Sequence, residues 1–275
     1  MWPSMKRSIS GRIAELENIH DAPAVTFETL ADIAVDTGYD ALELRPWQLA
    51  FDATDEEASA VRAVLDTRGL RASMVALSGC FQPDRADLDA AQRAFARDVE
   101  MADRVGAELI RVTVNTEEDI AWVRRGADEA AERGIRLVHE THTNSPFETV
   151  AQCVDMVCRI DRVNFGILVD PVNLVLCGEG YGPDDLAPLA GRVFNVYVQN
   201  IRLNEKGSLP APTRSGTVRY DRLVIGDAGG IDLELYFAAL RSIGYDGYVT
   251  SHQPLLPDVT VRDLAQRVFR ELSHG

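Results

Sequence analysis

The sequence predicts a single (β/α)8 barrel, an α/β fold in which eight parallel strands alternate with helices. Three observations predict it. Short apolar runs alternate with amphipathic segments along all 275 residues. Glycines stand at the expected ends of helices, directly before the next predicted strand; they are Gly38, Gly69, Gly106, Gly134 and Gly244. About eight such units occur, and a barrel of this kind typically uses ~250 residues.

The elements follow one another from end to end. The predicted strands are short apolar runs, at 8–14, 39–45, 70–77, 108–114, 135–140, 163–170, 193–199 and 247–251. The predicted helices have apolar residues at helical spacing, at 26–37, 55–67, 84–105, 116–133, 147–160, 231–243 and 259–272. Residues 174–190 are less regular. Residues 203–230, punctuated by Gly and Pro, are expected to form a long polar loop.

Local residues support these boundaries. Pro46 is expected to end the second strand, because proline cannot donate to a central ladder. Asp52 or Thr54 is expected to cap the second helix. No shift of composition marks a boundary, so residues 1–275 are expected to form one domain. A doubly wound open sheet is the alternative, but no glycine-rich phosphate turn follows an early strand.

Composition and charge restrict the possible partners. The net charge of −15 argues against nucleic acid and anionic membranes, which require basic patches. No apolar run approaches the ~18 residues of a membrane span, and the first residues lack the apolar core of a signal peptide. The four cysteines, Cys80, Cys153, Cys158 and Cys177, show no zinc-site spacing. We therefore expect a cytoplasmic protein with reduced thiols that acts on a small molecule.

Polar side chains end most of the predicted strands, and in such a barrel these ends carry the chemistry. The strand-end residues are Glu43, Asn115, Glu140, Asp170, Gln199 and His252. Four of them are predicted metal ligands, namely Glu140, Asp170, Gln199 and His252. Two carboxylates, a carboxamide and an imidazole suit a divalent ion, Mn²⁺ first, with Mg²⁺, Co²⁺ or Zn²⁺ as alternatives.

Each predicted ligand also has a structural alternative. Glu140 could pair with Arg111, and Asp170, which precedes a proline, could form an Asx-type turn. Gln199 could satisfy loop backbone, and His252 could be a hydrogen-bonded group behind the ligands. Glu43 could be a buried partner of an arginine instead of a substrate contact.

His142 is the predicted catalytic base. It follows Glu140 by two residues, beyond the strand end, and an imidazole can remove a proton made acidic by a neighbouring carbonyl. The alternative is a loop histidine bonded to backbone. The predicted substrate contacts are Glu43, Arg45, Asn115 and Asn173.

Several of these segments resemble the xylose isomerase-like TIM barrels, which include sugar phosphate isomerases and epimerases. The resemblance covers nearly the whole chain and rests on Glu140 and on GYDALEL at 38–44, LVDP at 168–171 and GYDGYV at 244–249. It implies a (β/α)8 barrel with a divalent metal held by Glu, Asp, His and Glu on strands five to eight. It also implies, for ketose epimerases, two glutamates acting as acid and base.

The sequence departs from that pattern at three positions. Asn173 and Gln199 stand where the family has histidines, and His252 stands where it has the strand-eight glutamate. The second base of a two-carboxylate epimerase is therefore missing. Glu140-Thr141-His142 and the Gln/His pair resemble a different branch, the catalytic subunits of C-glycoside deglycosidases.

That branch implies a metal-dependent lyase acting on 3-oxo-glycosides. The C2 proton is removed, here by His142, and the aglycone leaves C1 by β-elimination; the metal would stabilise the enolate. A small β subunit in a hetero-oligomer is also implied, and the segment 203–230 is expected to shape room for the aglycone. The alternatives are a metal-dependent isomerase or epimerase of sugars or keto acids, and a sugar-binding barrel without turnover.

Overall fold

A computed structural model describes residues 5–15, 23–50, 52–76 and 88–274. The described part of the chain contains eleven strands, which are β1 Lys6–Ser10, β2 Ala41–Leu44, β3 Arg71–Val75, β4 Leu109–Val112, β5 Arg136–Glu140, β6 Phe165–Val169, β7 Val193–Val198, β8 Ile201–Leu203, β9 Leu209–Thr213, β10 Gly216–Arg222 and β11 Tyr248–Ser251. It also contains nine α-helices, which are α1 Phe27–Thr37, α2 Asp55–Asp66, α3 Leu88–Val105, α4 Ile120–Ala131, α5 Val150–Ile160, α6 Pro171–Leu176, α7 Pro183–Leu186, α8 Leu233–Ser242 and α9 Val261–His274.

Eight of the strands close into a parallel barrel in the order β1-β11-β7-β6-β5-β4-β3-β2. The predicted (β/α)8 barrel is therefore confirmed. The first strand ends at Ser10 and not at 14, because the Ser10 side chain caps a 3-10 turn that follows directly. The predicted start of the third helix, 84–87, and Cys80 lie outside the described residues.

The prediction of a long polar loop at 203–230 is wrong for much of that segment. Strands β8, β10 and β9 form a separate antiparallel sheet in that order. Pro210 and Pro212 concealed β9, but this strand is at the edge of the sheet, where the missing N–H of proline breaks no ladder. Ala211 and Thr213 alternate with the prolines and are buried.

Helix ends follow the expected chemistry. Thr54, one of the two predicted caps, forms a capping box with Glu57 at the start of α2. Gly38 ends α1 with a φ of +104° and donates its N–H to the carbonyl of Ala34. That left-handed conformation favours glycine and turns the chain into β2.

Alternation along the strands fills the barrel and places the polar groups. Side chains facing the helices form the large apolar core, and inward side chains form an apolar layer of Met74, Leu109, Val138, Leu168 and Tyr197. Two residues further along the last four of these strands lie Arg111, Glu140, Asp170 and Gln199. Since strand side chains repeat every two residues, these four also point inward, at the carboxyl end of the barrel.

None of the helices in the described ranges is long and apolar enough to cross a bilayer. Cys153, Cys158 and Cys177 are free thiols.

Candidate active site

A cavity of about 390 Å³ opens at the carboxyl end of the barrel. The predicted site residues that line it are Arg45, Glu140, His142, Asn173, Gln199 and His252. Asp170 is fully buried beside this lining and contacts two of these residues. The structure therefore brings together all four predicted ligands and the predicted base.

One hydrogen-bond network joins three of the predicted ligands. Asn173 Nδ2 donates to Glu140 Oε1 at 3.0 Å and to Asp170 Oδ2 at 3.1 Å. Gln199 Nε2 donates to the same Asp170 Oδ2 at 2.5 Å, and its Oε1 accepts from Arg222 at 3.2 Å. The other oxygen of Asp170 accepts the N–H of Val172 at 2.9 Å, so the expected turn after this residue also exists. Asn173, predicted to bind substrate, lines the cavity and bridges two carboxylates.

The pKa values of the two bridged carboxylates are shifted in opposite directions. Burial raises the pKa of Glu140, but Arg111, whose guanidinium lies 2.5 Å away, together with His142 and His252 outweighs burial, so the net pKa is below the ordinary value. Burial and the nearby Glu140 raise the pKa of Asp170 well above its ordinary value. Two buried carboxylates this close need a proton or a cation between them. Glu140 therefore pairs with Arg111, as one alternative expected, and also belongs to the hydrogen-bond network.

His252 is held from behind by two groups. Its Nδ1 lies 3.2 Å from Ser10 Oγ and 3.4 Å from Glu43 Oε2, and its ring stacks on Tyr197 at 3.9 Å. The other oxygen of Glu43 accepts from the Tyr197 hydroxyl at 2.6 Å. With Nδ1 facing a carboxylate, Nε2 is the ring nitrogen available to the cavity.

The geometry disfavours the predicted substrate contact of Glu43. Glu43 is fully buried, it does not belong to the cavity lining, and both of its oxygens are engaged behind His252. Burial alone would raise its pKa, but His252 and Arg45 lower it to about 2. Burial lowers the pKa of His252 to about 4 against the effect of Glu43, so the imidazole is neutral near neutral pH. A carboxylate behind a neutral imidazole is the usual support of a metal-ligating histidine.

His142 occupies the position predicted for a base. It is exposed at the mouth of the cavity, and its Nδ1 lies 2.9 Å from the carbonyl oxygen of Thr143. A carbonyl accepts only from a protonated nitrogen, so the lone pair lies on Nε2. The backbone-bonded alternative is thus real and compatible with a base. His139 points away, as alternation predicts, and stacks on Phe147 at 3.9 Å.

The other predicted contacts are placed differently. Asn115 is exposed and lines a second cavity of about 340 Å³, which also borders Glu140 and His142. Arg45 lines the main cavity and donates from Nε to Glu15 at 2.6 Å.

The sequence interpretation missed several residues that line the main cavity. They are Arg12, Arg111 as a cavity residue, Pro210, Ala211, Pro212, Tyr220 and Arg222. Arg12 lies in the turn after β1, a strand end that the predicted strand 8–14 concealed. The hairpin residues lay in the segment predicted to be a loop. Functional residues of such a barrel lie at strand ends and in the loops that follow them. This rule would have identified Arg12 if the predicted end of β1 had been Ser10.

The donor set fits a divalent cation, although it is not a preformed cluster. Within the described ranges, no three His, Cys, Asp or Glu side chains are grouped as in a metal site. Carboxylate oxygens of Glu140 and Asp170, the carboxamide of Gln199 and the imidazole of His252 are nevertheless ligands that divalent ions accept. The crowding of two buried carboxylates is also the arrangement that a cation relieves.

Comparisons with known proteins place this geometry in context. Residues 31–268 match a family described as "Xylose isomerase-like TIM barrel". An inosose dehydratase of Geobacillus thermodenitrificans (strain NG80-2) is 29% identical over 149 residues, which are 49% of this chain. The match spans about half of that relative's length, 47%.

Solved structures share the whole fold. A D-psicose 3-epimerase determined in the presence of D-fructose superposes with a TM-score of 0.75 at 16% identity, covering 98% of both chains. An IolI protein with a bound zinc atom superposes with a TM-score of 0.76 at 17% identity, covering 98% of this chain and 97% of that one. At these identities the likeness concerns the fold alone.

Proposed function

The chain belongs to the xylose isomerase-like TIM barrel family, and on that premise we propose that it is a divalent-metal-dependent lyase acting on oxidised sugars. It removes a proton from the carbon next to a ketone and expels a leaving group by β-elimination. The specific reaction proposed is cleavage of a 3-oxo-C-glycoside, with the aglycone as leaving group. The similarity to an enzyme named inosose dehydratase supports an elimination, because a dehydratase expels water.

One observation carries the proposal. Among the described residues that line the cavity, Glu140 is the only carboxylate, and the residue that follows strand β11 is His252. An epimerase that uses two carboxylates as acid and base needs the second one there. A single base suffices for an elimination, because the leaving group, not a second acid, completes the reaction.

The metal is part of the proposal. Glu140, Asp170, Gln199 and His252 would hold it, with Mn²⁺ as the first choice. The zinc atom in the IolI protein supports a divalent ion in this fold. A bound divalent ion supplies Lewis-acid polarisation of the substrate ketone.

The proton step falls to His142. Its Nε2 accepts the C2 proton of the 3-oxo sugar, and the electron pair of that C–H bond forms the C1=C2 double bond. The bond from C1 to the aglycone breaks as that double bond forms. The aglycone keeps the electron pair of that bond and takes up the proton that His142 accepted, which leaves an unsaturated ketone. Arg111 and Asn173 hold the Glu140 carboxylate in place while this happens.

Space for an aglycone is provided beside this base. The second cavity, about 340 Å³, borders His142 and Glu140, and Pro212 of strand β9 lines both cavities. Sites for small ligands usually occupy roughly 300–1,000 Å³. The antiparallel sheet thus borders the space that the segment 203–230, predicted to be a loop, was expected to shape.

The test is incubation of the purified protein with Mn²⁺ and a 3-oxo-C-glycoside, with chromatographic detection of free aglycone. Release of aglycone supports the lyase. Epimerised free ketose without aglycone release would refute it in favour of the isomerase or epimerase alternative. Neither product, together with no bound metal by elemental analysis, would favour a sugar-binding barrel.

Substitution of His142 separates the base from the ligands. His142→Ala is expected to abolish turnover, at least 100-fold for a lost general base, while the metal content measured by elemental analysis stays near that of the wild type. His142→Gln is the matched variant, since its amide can still donate to Thr143 but cannot act as a base. Loss of metal in either variant would make His142 a ligand and contradict this division of roles.

The partner subunit and the compartment stay predictions. We propose a cytoplasmic enzyme associated with a small β subunit, as the similarity to C-glycoside deglycosidases implies. Co-purification of a tagged chain from its native cells, followed by mass spectrometry, tests both parts of this prediction.

A further inference from the structure

Four arginines line the main cavity, an unusual number for a site expected to bind a neutral sugar. They are Arg12, Arg45, Arg111 and Arg222. The chain as a whole carries a net charge of −15, so this concentration of positive charge is local. Guanidinium groups present several donors in a planar fork that matches carboxylates and phosphates.

Two of the four have carboxylate partners. Arg111 contacts Glu140 at 2.5 Å, and Arg45 contacts the buried Glu15 at 2.6 Å. Their charges are therefore balanced within the protein. Arg222 donates to the Gln199 carboxamide at 3.2 Å and to the hydroxyl of Tyr220 at 3.5 Å.

Arg12 is different. Its Nε is buried and has no hydrogen-bond partner among the described residues. Burial, Arg45 and Arg222 lower the pKa of Arg12 more than Glu15 and Glu140 raise it. Buried charged donors are normally paired, because leaving one unpaired costs free energy that folding must offset elsewhere. An arginine whose buried Nε lacks a partner, lining a cavity beside Arg45 and Arg222, is poised for an anion from outside.

We propose that the substrate carries an anionic group, a carboxylate or a phosphate, which binds to Arg12 with help from Arg45 and Arg222. This inference rests on the proposed function, because it specifies the substrate of the same site. It adds a requirement that the lyase reaction itself does not impose, since the reacting carbons of a 3-oxo-glycoside are neutral. Arg12 is here a binding residue and takes no part in the proton step.

Isothermal titration calorimetry tests the inference without turnover. The purified protein is titrated with D-glucuronate, D-glucose 6-phosphate and D-glucose at constant low ionic strength, after treatment with a chelating resin so that metal chelation by the probes does not contribute. We expect one of the anionic probes to bind at least about tenfold more tightly than D-glucose, the size of a charge-assisted hydrogen bond. The two anionic probes distinguish a carboxylate site from a phosphate site.

Substitutions locate the effect. Arg12→Gln should remove the preference for the anion over D-glucose, whereas Arg12→Lys, which keeps the charge, should retain part of that preference. Arg68→Gln is the matched control, because Arg68 pairs with Asp32 on the outer surface and its replacement removes the same charge. Thermal unfolding of each variant establishes that the fold persists.

The outcomes are distinct. Equal affinity for charged and neutral probes would overturn the inference. So would equal affinities of Arg12→Gln and Arg68→Gln for the anionic probes. Aglycone release from a neutral 3-oxo-C-glycoside, unimproved by a carboxylate on the substrate, would overturn it and leave the lyase intact. Anion binding that depends on Arg12 without any elimination would support the inference and contradict the lyase.

Discussion

Replacing Glu43 by glutamine tests what this buried carboxylate does. Its Oε2 lies 3.4 Å from His252 Nδ1, and its Oε1 accepts the Tyr197 hydroxyl at 2.6 Å. Glutamine has nearly the same shape and keeps an oxygen for Tyr197, but it carries no charge to orient the imidazole. If His252 is a ligand, Glu43→Gln should weaken metal binding. If Glu43 contacts substrate, as the sequence predicted, metal binding should be unaffected.

The geometry sets the expected size of the effect. Partners that orient a metal-ligating histidine contribute about 10–100-fold to metal affinity, which corresponds to about 1.4–2.8 kcal/mol. A separation of 3.4 Å lies beyond the usual hydrogen-bond range, and Ser10 at 3.2 Å remains as a second partner in the variant. We therefore expect the lower end, about tenfold.

The assay is a Mn²⁺ titration of metal-stripped protein, followed by calorimetry or electron paramagnetic resonance. Glu117→Gln is the control, because it removes the same charge from a surface pair with Arg159. Thermal unfolding confirms that both variants are folded. An unchanged dissociation constant for Mn²⁺ in folded Glu43→Gln would refute the role given to His252, and a raised KM in that variant would restore Glu43 as a substrate contact.

Two further predictions concern stability and the antiparallel sheet. Phe147 is fully buried and stacks on His139, so Phe147→Ala should lower the free energy of unfolding by about 3–5 kcal/mol in urea, and a loss no larger than that of the exposed Val163→Ala would contradict it. Ala211 is buried in the apolar cluster under strands β8–β10, so Ala211→Asp should place an unpaired charge there and speed limited proteolysis within 201–222, unlike Thr217→Asp on the exposed face; equal cleavage rates would show that the sheet is not held by this cluster.

Much of the site could be predicted because strand alternation is a local property. Glu140, Asp170 and Gln199 each follow an inward apolar residue by two positions, so a strand long enough to be recognised also sets their direction. The βα repeat then places the ends of consecutive strands side by side at one end of the barrel. No knowledge of the tertiary structure is needed for either step.

The role of Glu43 could not be predicted in the same way, because it depends on closure of the barrel. Ser10 of β1 pairs in register with Glu43 of β2, and β1 pairs on its other side with β11, which ends at Ser251. Only this closure brings His252 and Glu43 to opposite sides of Ser10. The sequence alone offered only an arginine as a structural partner for this carboxylate.

The hairpin and the arginines escaped prediction for a different reason. Pro210 and Pro212 are typical of loops, and only the edge position of β9 makes them acceptable in a strand. Arg12 and Arg222 reach the cavity through long side chains from a turn and from this sheet. Where a long side chain ends is decided by packing and not by its place in the sequence.

The charge state of Glu140 bears on the choice between elimination and epimerisation. An epimerase must return a proton to the opposite face of the carbon, which requires a protonated acid near the substrate. Arg111, His142 and His252 together keep the pKa of Glu140 below its ordinary value in spite of burial, so this carboxylate is a poor proton donor. Asp170 has a raised pKa, but its side chain is fully buried and one of its oxygens caps helix α6. In the proposed reaction, with His142 as the base, negative charge that develops beside the ketone would meet several guanidinium groups, which would stabilise it. Such a site favours elimination, in which a leaving group carries the electrons away. It disfavours epimerisation, in which a proton must be returned to the carbon.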